Sequence, residues 1–127
     1  MAYLKPPTMV RKVFNPLAMR LGIGGSMTLA VRRRASGATQ KVPVIPVELG
    51  GVRYVVSTRG ESDWVRNLRA AGRVELGGRD YAATEVPVAE REAIIAAYRT
   101  KAGRAVVSYW KTLPNAQDHP TFRLDPA

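Results

Sequence analysis

Cysteine is absent from this chain, and histidine occurs once, at His119. The first absence excludes disulfides, thiolate nucleophiles and zinc–thiolate centres; the second argues against a His-rich metal site or a His-centred triad. No metal site is therefore expected. No apolar run approaches the roughly 18 residues of a membrane span. The N-terminus lacks the continuous apolar core and small-residue cleavage site of a secretory signal. Acid is missing from the first third. No Asp or Glu precedes Glu48, whereas Lys5, Arg11, Lys12, Arg20, Arg32, Arg33, Arg34 and Lys41 all do. Nor is there a P-loop. An anionic partner must then be held by scattered cations, hydroxyls and backbone N–H groups.

The 127 residues suit one domain, and 46% hydrophobic content suffices for a core. Lys and Arg number 20 against 10 Asp and Glu, a bias that points to a phosphate ligand, nucleic acid or a membrane surface. The cysteine-free composition fits a reducing cytoplasm.

Residues 1–23 read as a helical extension and 24–127 as the folded domain. Between Pro7 and Leu21, Val10, Val13, Phe14, Leu17 and Leu21 recur at helical spacing with basic residues between them. Pro16 predicts a kink or two short helices. Strands are expected over 27–33, 41–48, 52–57, 73–76, 81–88 and 121–124. Pro43 and Pro46 place the second of these at an edge or a bulge. A helix is expected from Ser62, as N-cap, to Ala71, with Gly72 as its stop. Its apolar positions are Trp64, Val65, Leu68 and Ala71, and Arg66 and Arg69 are expected on a solvated face. A second helix is expected over 89–101, with Ile94, Ile95 and Tyr98 inward, and a shorter piece carries Val106, Val107, Tyr109 and Trp110. Short strands with tight turns, interrupted by helices, predict an α+β, mainly β, small barrel.

Two loops concentrate donors. In RRRASGATQK, a hairpin turn flanked by Arg34, Ser36, Gln40 and Lys41 can reach a phosphate from two strands; a solvated basic edge is the plainer reading. In STRG, Ser57 and Thr58 offer hydroxyls, Arg59 a charge and Gly60 close backbone approach, ahead of a helix N-terminus. Asn67 has poor helix propensity, which a buried structural hydrogen bond or a ligand contact would each explain. Trp64 reads most simply as core. Tyr98, Tyr109 and Trp110 sit at helical spacing and suit a core, although Tyr109 and Trp110 could wall a planar ring. His119, in DHP, reads as a turn residue. Aromatics gathered on helices rather than on an exposed strand face argue against nucleic acid.

The succession SGATQKVPV, GGVRYVVSTRG and WVRNLRAAGRVEL resembles the deazaflavin-dependent nitroreductase family, actinobacterial split β-barrel proteins that use coenzyme F420. The similarity covers roughly residues 24–88. It implies a six- or seven-stranded, FMN-binding-like split barrel with an N-terminal amphipathic helix and inserted helices. It implies that Arg34 to Gly37 and the following strand, with Gln40, Lys41 and Pro43, contact the phosphate and glutamate tail. It sets Ser57, Thr58, Arg59 and Gly60 beside the cofactor, with Trp64 and Asn67 on the W-x-x-N positions. The implied reaction is hydride transfer from reduced F420 to a quinone or electron-poor unsaturated lipophilic acceptor, with Ser57 or Tyr109 polarising the acceptor or passing a proton. The alternative is a non-catalytic deazaflavin- or lipid-binding barrel, and FMN is the competing cofactor. Two positions depart from the pattern. Gln40 stands where the family carries a basic residue, and Ile45 where an aromatic is frequent, which favours cofactor binding over any particular reaction. Residues 7–21 fit the family's membrane-associating tendency, which implies peripheral contact with an anionic membrane; a helix packed on its own barrel is the equal alternative. The expected location is the cytoplasm, with such contact on the inner face of the cell membrane.

Overall fold

The computed structural model describes residues 25–127. The segment 7–21, and with it the expected amphipathic helix, its membrane contact and the boundary at residue 23, lies outside the described residues.

Seven strands form one antiparallel sheet: β1 (Met27–Arg32), β2 (Thr39–Val44), β3 (Val47–Leu49), β4 (Val52–Val56), β5 (Arg73–Leu76), β6 (Arg79–Glu85) and β7 (Thr121–Pro126). The order across the sheet is β2-β1-β5-β6-β7-β4-β3. The C-terminal strand is inserted between β4 and β6, with Val55 opposite Phe122 on one side and Glu85 opposite Phe122 on the other. The sheet curls into a half-barrel. Helix α1 (Asp63–Ala71) follows β4, and α2 (Glu92–Ala102) and α3 (Val107–Thr112) lie between β6 and β7.

The strand expected over 41–48 is two strands. Ile45-Pro46 breaks it, because proline cannot donate to a ladder, and both pieces are edge strands. The strand expected to reach Val88 ends at Glu85, where Pro87 opens a 3-10 turn over Val88–Glu90 before α2 begins.

Helix α1 closes one end of the sheet. Val65 and Leu68 are fully buried, and Trp64 is half-buried against the same cluster as Leu29, Val31, Val74, Leu76 and Phe122. Ala71, expected to face inward, is exposed. Gly72 ends the helix at φ 67°, its N–H donating to Leu68 O at 2.8 Å, the left-handed cap that glycine takes without a Cβ penalty. Asp63 in the first turn and Arg69 in the last complement the helix dipole. A second cluster joins Val47 and Val56 to Ile94, Ile95, Tyr98, Val106 and Trp110, so α2 and α3 pack on the β3–β4 end. Burial pushes the Tyr98 hydroxyl up to about 12, marking it as core rather than as an acid.

Candidate functional site

The turn from β1 to β2 is held by its own backbone: Arg33 N donates to Ala38 O at 2.8 Å and Gly37 N to Arg33 O at 3.0 Å. The Ser36 hydroxyl accepts from Ala38 N at 3.2 Å. This rigid turn leans on α1. Asn67, 2% exposed, accepts at Oδ1 from Arg34 N at 3.1 Å and from Arg34 Nη1 at 2.7 Å. Its Nδ2 donates to Gln40 Oε1 at 2.7 Å. Three expected site residues from two elements are thus one hydrogen-bonded unit. Lys41 and Pro43 continue along β2 on exposed positions.

The second donor loop begins at the end of β4. Ser57 is 1% exposed, and its hydroxyl donates to Gly60 O at 2.7 Å. Gly60 sits at φ 77°, a conformation that side-chain-bearing residues rarely adopt. Ser62 occupies the expected N-cap position, but its side chain makes no capping bond and its Oγ is buried without a partner among the described residues. Ser62 N donates to Gly60 O at 2.9 Å instead. Arg59 reaches away from the hairpin: its Nη2 donates to the Tyr109 hydroxyl at 3.1 Å, and the guanidinium lies 5.5 Å from that ring's centroid. Among the described residues Arg59 Nε is buried without a partner, a costly state.

His119 lies beneath this loop. It is fully buried, with Nδ1 2.8 Å from Ser57 O and Nε2 2.6 Å from Leu113 O. It ties the Ser57 loop to the end of α3. A DHP turn at the sequence level gave no sign of this role.

A four-membered ionic lattice also escaped the sequence reading. Arg69, expected in solvent, grips Glu61 through Nη1 at 2.7 Å and Nη2 at 3.0 Å, and Glu85 through Nε at 2.7 Å and Nη2 at 2.9 Å. Arg91, 5% exposed, adds Glu85 at 3.2 Å and Val86 O at 2.8 Å. The hydrogen bonds from Arg69 hold the Glu61 carboxyl below its ordinary range against the opposing effect of burial. Burial lowers the Arg91 pKa. These residues, with Gly60, line a cleft of about 530 Å³. The members lie 6 to 30 residues apart in sequence, so no local spacing signals them.

Charge accounting bears on the ligand. Arg34 has only Asp63 nearby, at 3.9 Å and largely exposed, and Arg33, Lys41 and Arg59 form no ion pair among the described residues. The undescribed N-terminal residues contain no acid that could neutralise them. The arginine-rich turn and the exposed Lys41 present a concentrated positive surface of the kind that phosphate and carboxylate groups complement. Among the described residues there is no cluster of groups that could hold a metal ion.

A curled seven-stranded antiparallel sheet with one helix across its end and cations along a hairpin defines a split β-barrel with a basic rim. The model of the F420H(2)-dependent quinone reductase family matches residues 7–114, most of the chain. The chain belongs to that family, whose cofactor is coenzyme F420. An F420-H2 dependent reductase, FDR-A, has a similar fold at 22% identity and TM-score 0.57, covering 77% of this chain and 91% of its own. The protein Atu2129 of unknown function from Agrobacterium tumefaciens is 19% identical with TM-score 0.63, over 97% of this chain and 58% of its own length. HutZ, a heme storage protein from Vibrio cholerae, is 16% identical with TM-score 0.57, over 98% and 92%. At these identities the likeness is one of fold. No curated protein sequence matches the chain.

Proposed function

We propose that this protein is an F420H2-dependent reductase of quinones or electron-poor unsaturated lipophilic acceptors. The observation that carries the reading is the run of cations Arg33, Arg34 and Lys41 on a hairpin braced against α1, with one long, exposed contact from Arg34 to Asp63 as its ion pair among the described residues. Phosphate and glutamate carboxylates in sequence are the complement of that surface. Arg34, Ser36, Gln40, Lys41 and Pro43 are assigned to the tail, and Thr58, Arg59, Gly60 and Trp64 to the neighbourhood of the ring system.

When bound in its reduced form, the coenzyme supplies a hydride. The chain's contribution is to orient two planes, exclude water and supply a proton. Tyr109 suits the last task. Its hydroxyl accepts from Arg59, so its own proton remains free to be donated, and the side chain is only half-buried. Hydride and proton together convert a quinone to a hydroquinone. Ser57, the other catalytic candidate, already spends its proton on Gly60 O inside the protein, which favours a loop-shaping role for it. Residues 7–21 are assigned, from their basic amphipathic pattern, to contact with the anionic membrane in which lipophilic quinones dissolve.

That commitment of Ser57 also favours the second reading, a barrel that binds the coenzyme without turnover. Anaerobic mixing with F420H2 and a soluble naphthoquinone separates the two. Stoichiometric and then catalytic return of the oxidised coenzyme's absorbance supports the reductase. Binding without return, across benzoquinone and naphthoquinone acceptors, supports the second reading.

A further inference from the structure

We propose that Asn67 is a positioning residue for the coenzyme's anionic tail rather than a contact of its ring system. The inference rests on the proposed function above and concerns how the hairpin's donors are aimed.

The amide of asparagine has two donor hydrogens and one oxygen with two lone pairs. Both lone pairs of Asn67 are used, by the backbone and the guanidinium of the same residue, Arg34, and one of the two donors is used by Gln40. At 2% exposure little of the group is left to meet a ligand. Asparagine is a poor helix former in the middle of a nine-residue helix, and the bonds to residues 33 and 27 positions away are what it provides in return.

The bonds also fix direction. Arg34 only donates, so Asn67 must turn its oxygen toward the turn and its NH2 toward β2. Gln40 must then present its oxygen to Asn67, which leaves the Gln40 NH2 facing away as a donor. The same contact holds one corner of the Arg34 guanidinium, while 40% of the side chain stays exposed. Arg34 and Gln40 thus show donors outward in a fixed arrangement beside Lys41. A glutamine can serve at position 40, where a free cation would otherwise be needed, because its donor end is aimed in advance. Without Asn67, Arg34 can swing onto the Asp63 carboxylate, now 3.9 Å away, and Gln40 can rotate.

The test is fluorescence titration of two probes: oxidised F420, and the deazaflavin riboside that lacks phosphate and glutamates. Asn67→Ala is expected to weaken F420 binding about tenfold, the scale of one charge-assisted hydrogen bond, and to leave the riboside within about twofold. The double variant Arg34→Ala/Asn67→Ala is expected to lose less F420 affinity than the sum of the two single losses, since Asn67 acts in part through Arg34 and in part through Gln40. Should Asn67→Ala fail to fold, Asn67→Asp serves: it keeps both acceptor bonds, loses the donor to Gln40 and sets a carboxylate against Arg34, predicting a tail-specific loss at least as large. Equal losses for both probes, or additive losses in the double variant, overturn the assignment while leaving the proposed function standing. Failure of the unaltered protein to bind F420 overturns both.

Discussion

The imidazole of His119 stacks on the indole of Trp110, with ring centroids 3.9 Å apart and planes 9° from parallel. The stack joins the α3 side of the molecule to the carbonyl of Ser57, so the loop expected beside the cofactor is fastened from below. His119→Phe keeps the stack and removes both ring-nitrogen contacts. It is expected to destabilise the protein by about 1–3 kcal/mol, because a buried carbonyl loses the ring N–H that donates to it, with the midpoint of urea unfolding falling and the slope unchanged. A loss below about 0.5 kcal/mol would remove this tie from the account.

The ionic lattice makes stability depend on acid. The folded-state pKa of Glu61 lies below its ordinary value of 4.5, first because of its hydrogen bonds to Arg69 and despite burial. A depressed carboxylate contributes stability that is fully present above the unfolded pKa and is lost as pH falls through the folded one. Unfolding free energy is therefore expected to fall below about pH 4.5, and Glu61→Gln should flatten that acid limb. At neutral pH the same variant should cost about 1–2 kcal/mol, discounted because Arg69 is part-exposed and keeps Glu85. Urea titrations at several pH values check both limbs.

Tyr109 and Ser57 separate the chemical from the structural reading of the loop. Tyr109→Phe is expected to lower the rate of quinone reduction by about 10²-fold while coenzyme affinity changes less than about twofold, the pattern of a lost proton donor. Ser57→Ala should instead lower stability by about 1–2 kcal/mol, through the lost bond to Gly60 O, with the chemical step little altered. Stopped-flow reoxidation of F420H2, alongside unfolding curves, measures each.

Much of the frame was legible in the sequence. Val65, Leu68 and Gly72 marked the face and the end of α1, and paired turn glycines separated the strands. These signals are local, carried by side-chain periodicity and by backbone conformations that glycine favours. Arg34, Gln40 and Asn67 were each singled out in the sequence as candidates for the site. Their mutual bonding was not, because it depends on how the hairpin docks on the helix. Asn67 had two open explanations, and the structure supplies the buried hydrogen bonds of one of them. Arg69 looked solvated because its partners, Glu61 and Glu85, come from a loop and from β6. His119 looked like punctuation because the carbonyls that hold it belong to Ser57 and Leu113, brought beside it only when β7 inserts between β4 and β6. Pro46 signalled an edge or bulge, and the chain resolves it as a corner between two edge strands.

The central claim is that an arginine-rich hairpin braced by α1 holds the polyanionic tail of F420. Fluorescence titration of oxidised F420 against FMN tests it most directly. The account predicts saturable quenching by F420 at micromolar concentration, weaker binding of FMN, and a loss of F420 affinity of about tenfold or more in Arg34→Ala/Lys41→Ala. Absence of saturable quenching, FMN binding as tight as F420, or full affinity in that double variant would contradict it.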